Sequence, residues 1–422
     1  MSPSASLPSR AWLTVGLLWF VACLNYLDRL ILITMRTSVK GEIAMTDAQF
    51  GLLTTVFLVS YGILGPVGGY LADRFNRSRI VVVSLFAWSA FTWLTGHAHS
   101  FEELLIYRAL MGISEACYFP AAGKLLMDYH RDRTRSLANG IHLSGVMVGS
   151  GLGGLGGWIA DRHDWRFVFE LFGAIGIVYA VVVWILLRDR PTSEASAAGT
   201  TTVAPPITAS LGLGASLRTL FTSPAYLFAL CFWGLLGVGS WTVIGWLPTY
   251  LTERFGLSQG EAGLSAMGYI YSASMVGMLV AGYWADRWSL RHPRARVWVG
   301  IIGTSLTVPA ILVIAYSPSL PLLFAGLVLY GLARTFPDAN MLPILCQIVD
   351  RRVLALGFGI LNMLAVFVGG ASIYAGGAFR DAQVPITAVF TGGAVTMALC
   401  VALLWKVRTP ASSSSASSPS PS

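Results

Sequence analysis

The run Gly69-Tyr70-Leu71-Ala72-Asp73-Arg74-Phe75 returns about half a chain later as Gly282-Tyr283-Trp284-Ala285-Asp286-Arg287-Trp288. Each copy closes an apolar stretch long enough to cross a bilayer as a helix, roughly 17–25 residues. A third copy, Gly157-Trp158-Ile159-Ala160-Asp161-Arg162, closes another such stretch three segments after the first. Phe119-Pro120-Ala121-Ala122 and Phe336-Pro337-Asp338-Ala339 echo each other in the same way. Chance can write one such echo; several at matched positions predict duplicated halves, each holding inverted three-helix units.

Working outward from these repeats, twelve apolar stretches are expected to span a membrane. They cover 11–35, 50–72, 80–96, 103–127, 137–160 and 167–187, then 224–250, 262–284, 297–316, 320–345, 355–378 and 385–406. The fold class is therefore all-α membrane protein, with two pseudo-symmetric six-helix bundles at 11–187 and 224–408. A Ser/Thr/Ala/Pro-rich linker at 188–223 joins them, with a polar tail at 1–10 and a disordered Ser/Ala/Pro tail at 409–422. The first span is too long for a signal-peptide core and lacks a small-residue cleavage site, so it is expected to be retained.

Composition agrees. Of 422 residues, 55% are apolar and only 11% charged, against roughly 25% charged in soluble domains. That excludes an ordinary soluble enzyme and a disordered chain. The net charge of +8 does not point to nucleic acid, because the basic residues cluster at one set of helix ends. The clusters are Arg74/Arg77/Arg79, Arg131/Arg133/Arg135, Arg188/Arg190, Arg287/Arg291/Arg294/Arg296, Arg351/Arg352 and Lys406/Arg408. A roughly threefold excess of Lys and Arg on one face predicts that this face, with both termini, is cytoplasmic. Five isolated cysteines and six scattered histidines offer no disulfide or metal spacing. No P-loop, Rossmann fingerprint, metal motif or nucleophile elbow is present, so no cofactor, ATP coupling or enzyme activity is expected.

Charges within the spans carry the functional signal, because one at the bilayer centre costs about 2.5–3.5 kcal/mol. The first span holds Asn25-Tyr26-Leu27-Asp28-Arg29. Neighbours in a helix point about 100° apart, so Asp28 and Arg29 are expected to face different partners. In the fourth span Arg108 and Glu115 share one stripe two turns apart. A crosswise network follows as an expectation: Asp28 with Arg108, and Arg29 near Glu115. Apolar neighbours favour the protonated form of Glu115, which can then carry a proton. In the tenth span Arg334 and Asp338 stand one turn apart and can pair, with Asn340 close by. A static charge cluster holding helices together is the competing reading. Tyr61, His142, Trp241, Tyr269 and Asn362 are further polar or amphipathic groups within spans, suited to lining a cavity. Asp73, Arg74, Arg77, Asp286 and Arg287 sit at helix ends and read as latches between bundles. Gly145, Gly149, Gly153 and Gly157 form a small-residue stripe that lets helices approach closely.

Gly69-Tyr70-Leu71-Ala72-Asp73-Arg74-Phe75-Asn76-Arg77-Ser78-Arg79 resembles the loop 2–3 signature of the major facilitator superfamily. Asn76 stands where that pattern has Gly, and Asn tolerates the left-handed backbone such a turn uses. The resemblance runs from the first span to the twelfth and implies two bundles rocking around a central cavity. Asn25-Tyr26-Leu27-Asp28-Arg29, with Arg108 and Glu115, is similar to the anion:cation symporter branch of bacterial sugar-acid and animal organic-anion carriers. Trp246-Leu247-Pro248-Thr249-Tyr250-Leu251 fits that branch too. The resemblance implies that Arg29 binds a substrate carboxylate; Tyr61, Trp241, Tyr269, Asn340 and Asn362 are the substrate-binding candidates read from the residues themselves. The resemblance also implies that Asp28 and Glu115 handle protons, with Arg108 as partner; Arg334 and Asp338 are further proton-coupling candidates from their own spacing, a local ion pair at a proline kink being the alternative. Spinster-type lysolipid carriers are a second resemblance, through Asp73-Arg74-Phe75-Asn76-Arg77 and Val148-Gly149-Ser150-Gly151-Leu152-Gly153. The fifth span lacks the Gly-Pro kink of drug:proton antiporters, which counts against efflux. A non-transporting sensor is the reading from another class, and no output domain supports it.

The expectation is a monomeric proton-coupled symporter of a small organic anion such as a sugar acid, multi-pass in the cytoplasmic membrane.

Overall fold

The structure, a computed structural model, describes residues 9–130, 134–189, 212–350 and 352–407. Arg131, Arg133, Arg190, Arg351 and Arg408 of the basic clusters lie outside the described residues. So do residues 1–8 of the predicted N-terminal tail, most of the predicted linker and the predicted tail at 409–422.

The described residues form helices and no strand. The first half holds α1 (Ser9–Thr34), α2 (Arg36–Glu42), α3 (Asp47–Arg74), α4 (Arg77–Thr95), α5 (Phe101–Glu115), α6 (Tyr118–Tyr129), α7 (Arg135–Leu152), α8 (Leu155–Ala160) and α9 (Trp165–Leu186). The second holds α10 (Leu213–Phe221), α11 (Pro224–Phe255), α12 (Gln259–Ser289), α13 (Ala295–Tyr316), α14 (Leu320–Ile348), α15 (Leu354–Asp381) and α16 (Ile386–Lys406). With α7 and α8 taken as one segment, 11 are long and apolar enough to cross a membrane.

The predicted fourth span is the exception. It folds as α5 and α6, which meet at Ala116 and Cys117. Pro120, in the first turn of α6, has no N–H to offer the Ala116 carbonyl, so the helical ladder is interrupted there. Two other departures are small. The end of the predicted linker is helical, because Leu220 of α10 packs on Gly357 of α15 and is buried. Asn76 does not take a left-handed turn. It stands at φ −59° and caps α4, its side chain accepting from the Arg79 amide at 2.9 Å.

Within the first half, α1 packs on α7 and α8, α3 on α5, and α4 on α9. Within the second, α11 packs on α15 and α16, and α14 on α12 and α13. The glycine stripe joins α7 and α8 to α1. A Cβ added at Gly145, Gly149 or Gly157 would strike the main-chain oxygen of Trp19, Cys23 or Thr34 in turn.

The halves meet along two helix pairs, α3 with α15 and α12 with α7/α8. Both contacts are drawn together at the end carrying Asp47. There Asp381, closing α15, accepts from the Asp47 and Ala48 amides that open α3, each at 2.9 Å. Asp161, just past α8, accepts from the Gly260 amide that opens α12, at 2.8 Å. Unpaired amides at a helix N-terminus favour a carboxylate. One turn before each aspartate a glycine, Gly377 or Gly157, lies against the backbone of the docked helix. Arg380 pairs with Asp47 at 2.8 Å and with Glu253 at 2.6 Å, and Arg36 and Lys40 also pair with Asp47. Among the described residues, ion pairs at the opposite, Arg74 end stay within one half. Gly69 and Gly282, the counterparts of Gly377 and Gly157, face open space.

Two outcomes follow. Gly149→Val, which drives a side chain into α1, is expected to cost about 1–3 kcal/mol, read as a lowered Tm in detergent. Gly140→Val, where nothing lies within 4 Å, leaves the Tm in place. Asp161→Asn with Asp381→Asn is expected to shift the population toward a state parted at the Asp47 end, about two- to fivefold per carboxylate. Spin-label distances between Gly41→Cys and Ala382→Cys read this, and an unchanged distribution means the two carboxylates do not hold that end.

Candidate functional site

The Asn25–Arg29 segment lies midway along the interior of the first half. Asn25, Tyr26 and Arg29 fall three or four residues apart and so share one side of α1. Arg29 turns toward α5, where its Nη2 donates to Glu115 at 2.7 Å. It also donates to Asn25 Oδ1 at 3.3 Å. Three rings surround the guanidinium: Tyr26 at 4.5 Å, Tyr61 at 4.7 Å and Phe57 at 4.9 Å from ring centroid to Cζ. Phe57 and Tyr61 are one turn apart on α3 and nearly parallel. A cation against aromatic faces gains about 0.5–2 kcal/mol per contact. Glu115 is the last residue of α5, so the helix break beside it positions the carboxylate that holds Arg29.

Asp28 points the other way, toward α4, where Thr92 donates to its carboxylate at 3.4 Å. Arg108 does not form the expected ion pair with it. Its Nη1 points at the Asp28 main-chain oxygen from 3.5 Å, and its guanidinium lies 5.8 Å from the Phe169 ring. Asp28 Oδ1, Glu115 Oε1 and Arg108 Nε and Nη2 are buried without a hydrogen-bond partner. Both carboxylates thus keep an oxygen free for a proton, in a dry setting where an unmade hydrogen bond is costly.

A cavity of about 630 Å³ lies between α3, α6 and α15, toward the Arg74 end. Tyr61, Gly62, Pro66, Phe119, Asn362 and Met363 are among its walls. Arg29 is 5% exposed and Glu115 fully buried. They sit one side chain behind this wall, where Tyr61 and Ala116 stand between them and the cavity. Paired with Glu115, the guanidinium is drawn back from the space it was expected to face.

The other sequence candidates are dispersed. Asn362 lines the cavity, but accepts from Trp233 at 3.2 Å and donates to the Phe358 oxygen at 3.0 Å. Trp241 packs on Gly369 between the cores of the two halves. Asn340 is buried and donates to the Phe336 oxygen at 2.9 Å. Tyr269 is outside the cavity, in an outer groove with Gly268, Val276 and Leu332, stacked on Phe324 at 4.7 Å. Tyr271, two residues on and so about 200° around the helix, takes the inner face instead. Arg334 and Asp338 do not pair: Arg334 donates to Ser274 at 3.4 Å, and Asp338 is exposed. His142 meets the Tyr118 hydroxyl at 2.8 Å, and Tyr118 donates to the Leu18 oxygen, a packing role. Of the latch candidates, Asp73 pairs with Lys124, Arg77 with Asp128, and Asp286 with Arg296 at 2.7 Å. Arg74 donates to Tyr70 at 2.7 Å, and Arg287 lies over Tyr283. Each contact stays within its own half.

Comparison with known proteins places this geometry. The family model of the Major Facilitator Superfamily matches residues 18–295 and 235–421. Protein spinster of Drosophila melanogaster is 36% identical over 205 residues, 46% of this chain and 34% of that protein. A probable L-galactonate transporter of Escherichia coli strain K12 is 29% identical over 286 residues, 64% of this chain and 60% of that one. The match thus spans between a third and three fifths of the length of these relatives. A crystal structure of a bacterial homolog of the human lysosomal transporter spinster, inward-facing and unoccupied, superposes with a TM-score of 0.76. It covers 95% of this chain and 96% of that one at 21% identity, a likeness of fold. From family match and architecture together, the chain belongs to the Major Facilitator Superfamily and is a multi-pass membrane protein.

Proposed function

We propose that this protein is a twelve-span secondary transporter that carries a small organic anion together with protons by alternating access. The buried Arg29–Glu115 pair carries this reading. A carboxylate already holds the cation that a substrate carboxylate would seek. Protonation of Glu115 neutralises it and releases the guanidinium, so proton and anion bind together. Tyr61 then acts as the door between Arg29 and the cavity. Asp28, with its own free oxygen, is the second proton carrier. Two protons moved with one monoanion would transfer a net positive charge, about 2.3 kcal/mol per 100 mV of membrane potential.

The twelfth span of this reading is α5 and α6 in series, broken beside Glu115. The two moving bodies are the bundles at 11–187 and 224–408, with both termini in the cytoplasm and the chain acting as a monomer in the cytoplasmic membrane. The docked Asp47 end is then the closed outer side, and the cavity opens inward. Asp73, Arg74 and Arg77, with Asp286 and Arg287, exchange their present partners within one half for the other bundle when the inner side closes. The likeness to an L-galactonate transporter supports a sugar acid as cargo. One observation favours a second reading. The cavity wall is mostly apolar, with Tyr61 and Asn362 its few polar side chains. An amphiphile, the kind of cargo implied by the spinster resemblance, suits that lining.

Proteoliposome uptake under an imposed pH gradient tests the proposal, over a panel of sugar acids, apolar carboxylates and lysophospholipids. Arg29→Ala is expected to abolish anion binding. It leaves Glu115 buried without a countercharge, a loss of about 3–5 kcal/mol, so Arg29→Ala with Glu115→Gln serves as the folding control. Glu115→Gln alone is expected to keep binding and exchange while stopping gradient-driven accumulation. Normal accumulation by Glu115→Gln would show that Glu115 is not the proton carrier.

A further inference from the structure

The second half carries a basic pocket at the Arg74 end that the transport cycle above does not use. It is a cavity of about 700 Å³ where the start of α11, the start of α13 and the end of α16 converge. Its walls are Pro224, Ala225, Phe228, Arg294, Trp405 and Lys406. Arg294 ties α13 to α16: its Nη2 donates to the main-chain oxygens of Trp405 at 3.1 Å and Val407 at 3.3 Å. The guanidinium is thereby fixed beside Lys406, and its Nε has no partner. Lys406 Nζ lies 5.6 Å from the Phe228 ring centroid. Trp405 is 55% exposed and meets Trp298 edge-on at 4.9 Å.

No acid balances these two cations. The chain holds no Asp or Glu at 212–252, 287–337 or 382–407, the segments that build the pocket. The carboxylates that flank those segments at this end are engaged elsewhere, Asp286 with Arg296 at 2.7 Å and Asp350 with Arg352 at 2.6 Å. Among the described residues neither Arg294 nor Lys406 has a carboxylate within 4.0 Å. Two unbalanced cations in one pocket select an anion. The surface leading away from the pocket says of what kind. Lys406 tops an exposed stripe of α16 that Ala402, Leu399 and Val395 continue at helical spacing. On α11, Pro224, Leu227 and Cys231 form a matching exposed stripe. Apolar faces exposed on membrane-spanning helices meet acyl chains, and an exposed tryptophan at a helix end marks the level of the lipid headgroups. A soluble anion makes no use of such stripes, whereas a lipid uses both the cations and the stripes.

We propose that this pocket is a headgroup site for an anionic phospholipid of the leaflet at the Arg74 end. Arg294 and Lys406 take the phosphodiester, Trp405 stands beside the glycerol, and the acyl chains run along the exposed stripes of α11 and α16. A lipid seated there bridges the ends of three helices of the second half. The site is separate from the Arg29–Glu115 pair and does not depend on what cargo the protein carries.

The test is lipid binding to the purified full-length protein in a neutral detergent, followed by native mass spectrometry. The probes are dioctanoyl phosphatidylglycerol, dioctanoyl phosphatidylcholine and inorganic phosphate. Phosphatidylglycerol is expected to bind at least about fivefold more tightly than phosphatidylcholine, and an excess of inorganic phosphate does not displace it. Lys406→Gln is expected to remove most of that preference, since one cation beside an anionic lipid is worth about fivefold. Lys406→Arg keeps the preference, which separates the charge from the fold. Arg79→Gln, which removes an exposed basic residue at the same end of the first half, leaves it unchanged and controls for net charge. The proposal is overturned if the two lipids bind alike, or if Lys406→Gln retains the preference. It is overturned equally if Arg79→Gln lowers the preference as much as Lys406→Gln, a diffuse effect of charge, or if inorganic phosphate displaces the lipid, a bare anion site.

Discussion

A guanidinium and a carboxylate 2.7 Å apart, both buried, set the terms for the first half of this protein. Neither ion is stable alone in such a place, since each would lose several kcal/mol of hydration. The chain around them is shaped to keep them together. The helix break before Pro120 ends α5 at Glu115. Asn25, Tyr26, Phe57 and Tyr61 enclose Arg29. The glycine stripe presses α7 and α8 onto α1, which holds the arginine at fixed depth. An arrangement so dependent on mutual neutralisation responds to any change in the charge of either member.

A second constraint governs how the halves meet. Gly-x-x-x-Asp occurs at four helix ends, as Gly69–Asp73, Gly157–Asp161, Gly282–Asp286 and Gly377–Asp381. The glycine lets a partner helix approach, and the aspartate satisfies its unpaired amides. In the structure two of the four are docked, both at one end. The other two glycines face open space, and their aspartates pair with Lys124 and Arg296 instead. The same short device is written at both ends and engaged at only one.

The candidate site was legible in part. Asp28, Arg29, Arg108 and Glu115 stand out in a sequence because ionised residues are costly in apolar spans. Helical spacing within Asn25–Arg29 also places Asn25 and Tyr26 beside Arg29. Phe57 had no such signal, since an aromatic residue in a span is unremarkable until a cation is seen beside it. Tyr269 and Tyr271 show the limit most clearly. Both are tyrosines in one apolar helix, and only the rotation of α12 against its neighbours puts one in the outer groove and the other against Gly151 of the first half. The cluster of Arg36, Lys40, Asp47, Glu253, Arg380 and Asp381 reads in sequence as ordinary loop charge. It becomes a clasp because two distant helix ends converge.

Hydrophobic length, the repeats and the placement of Lys and Arg determined from sequence alone that this chain is an all-helical, duplicated membrane protein with charges buried in its first half. These features are local or periodic, and water and lipid act on them segment by segment. Which charges pair was decided only by tertiary structure: Arg29 takes Glu115, while Arg108 misses the Asp28 carboxylate and Arg334 misses Asp338. Ion pairing depends on a few ångströms of separation and on side-chain direction. Both come from how helices far apart in sequence rotate and pack.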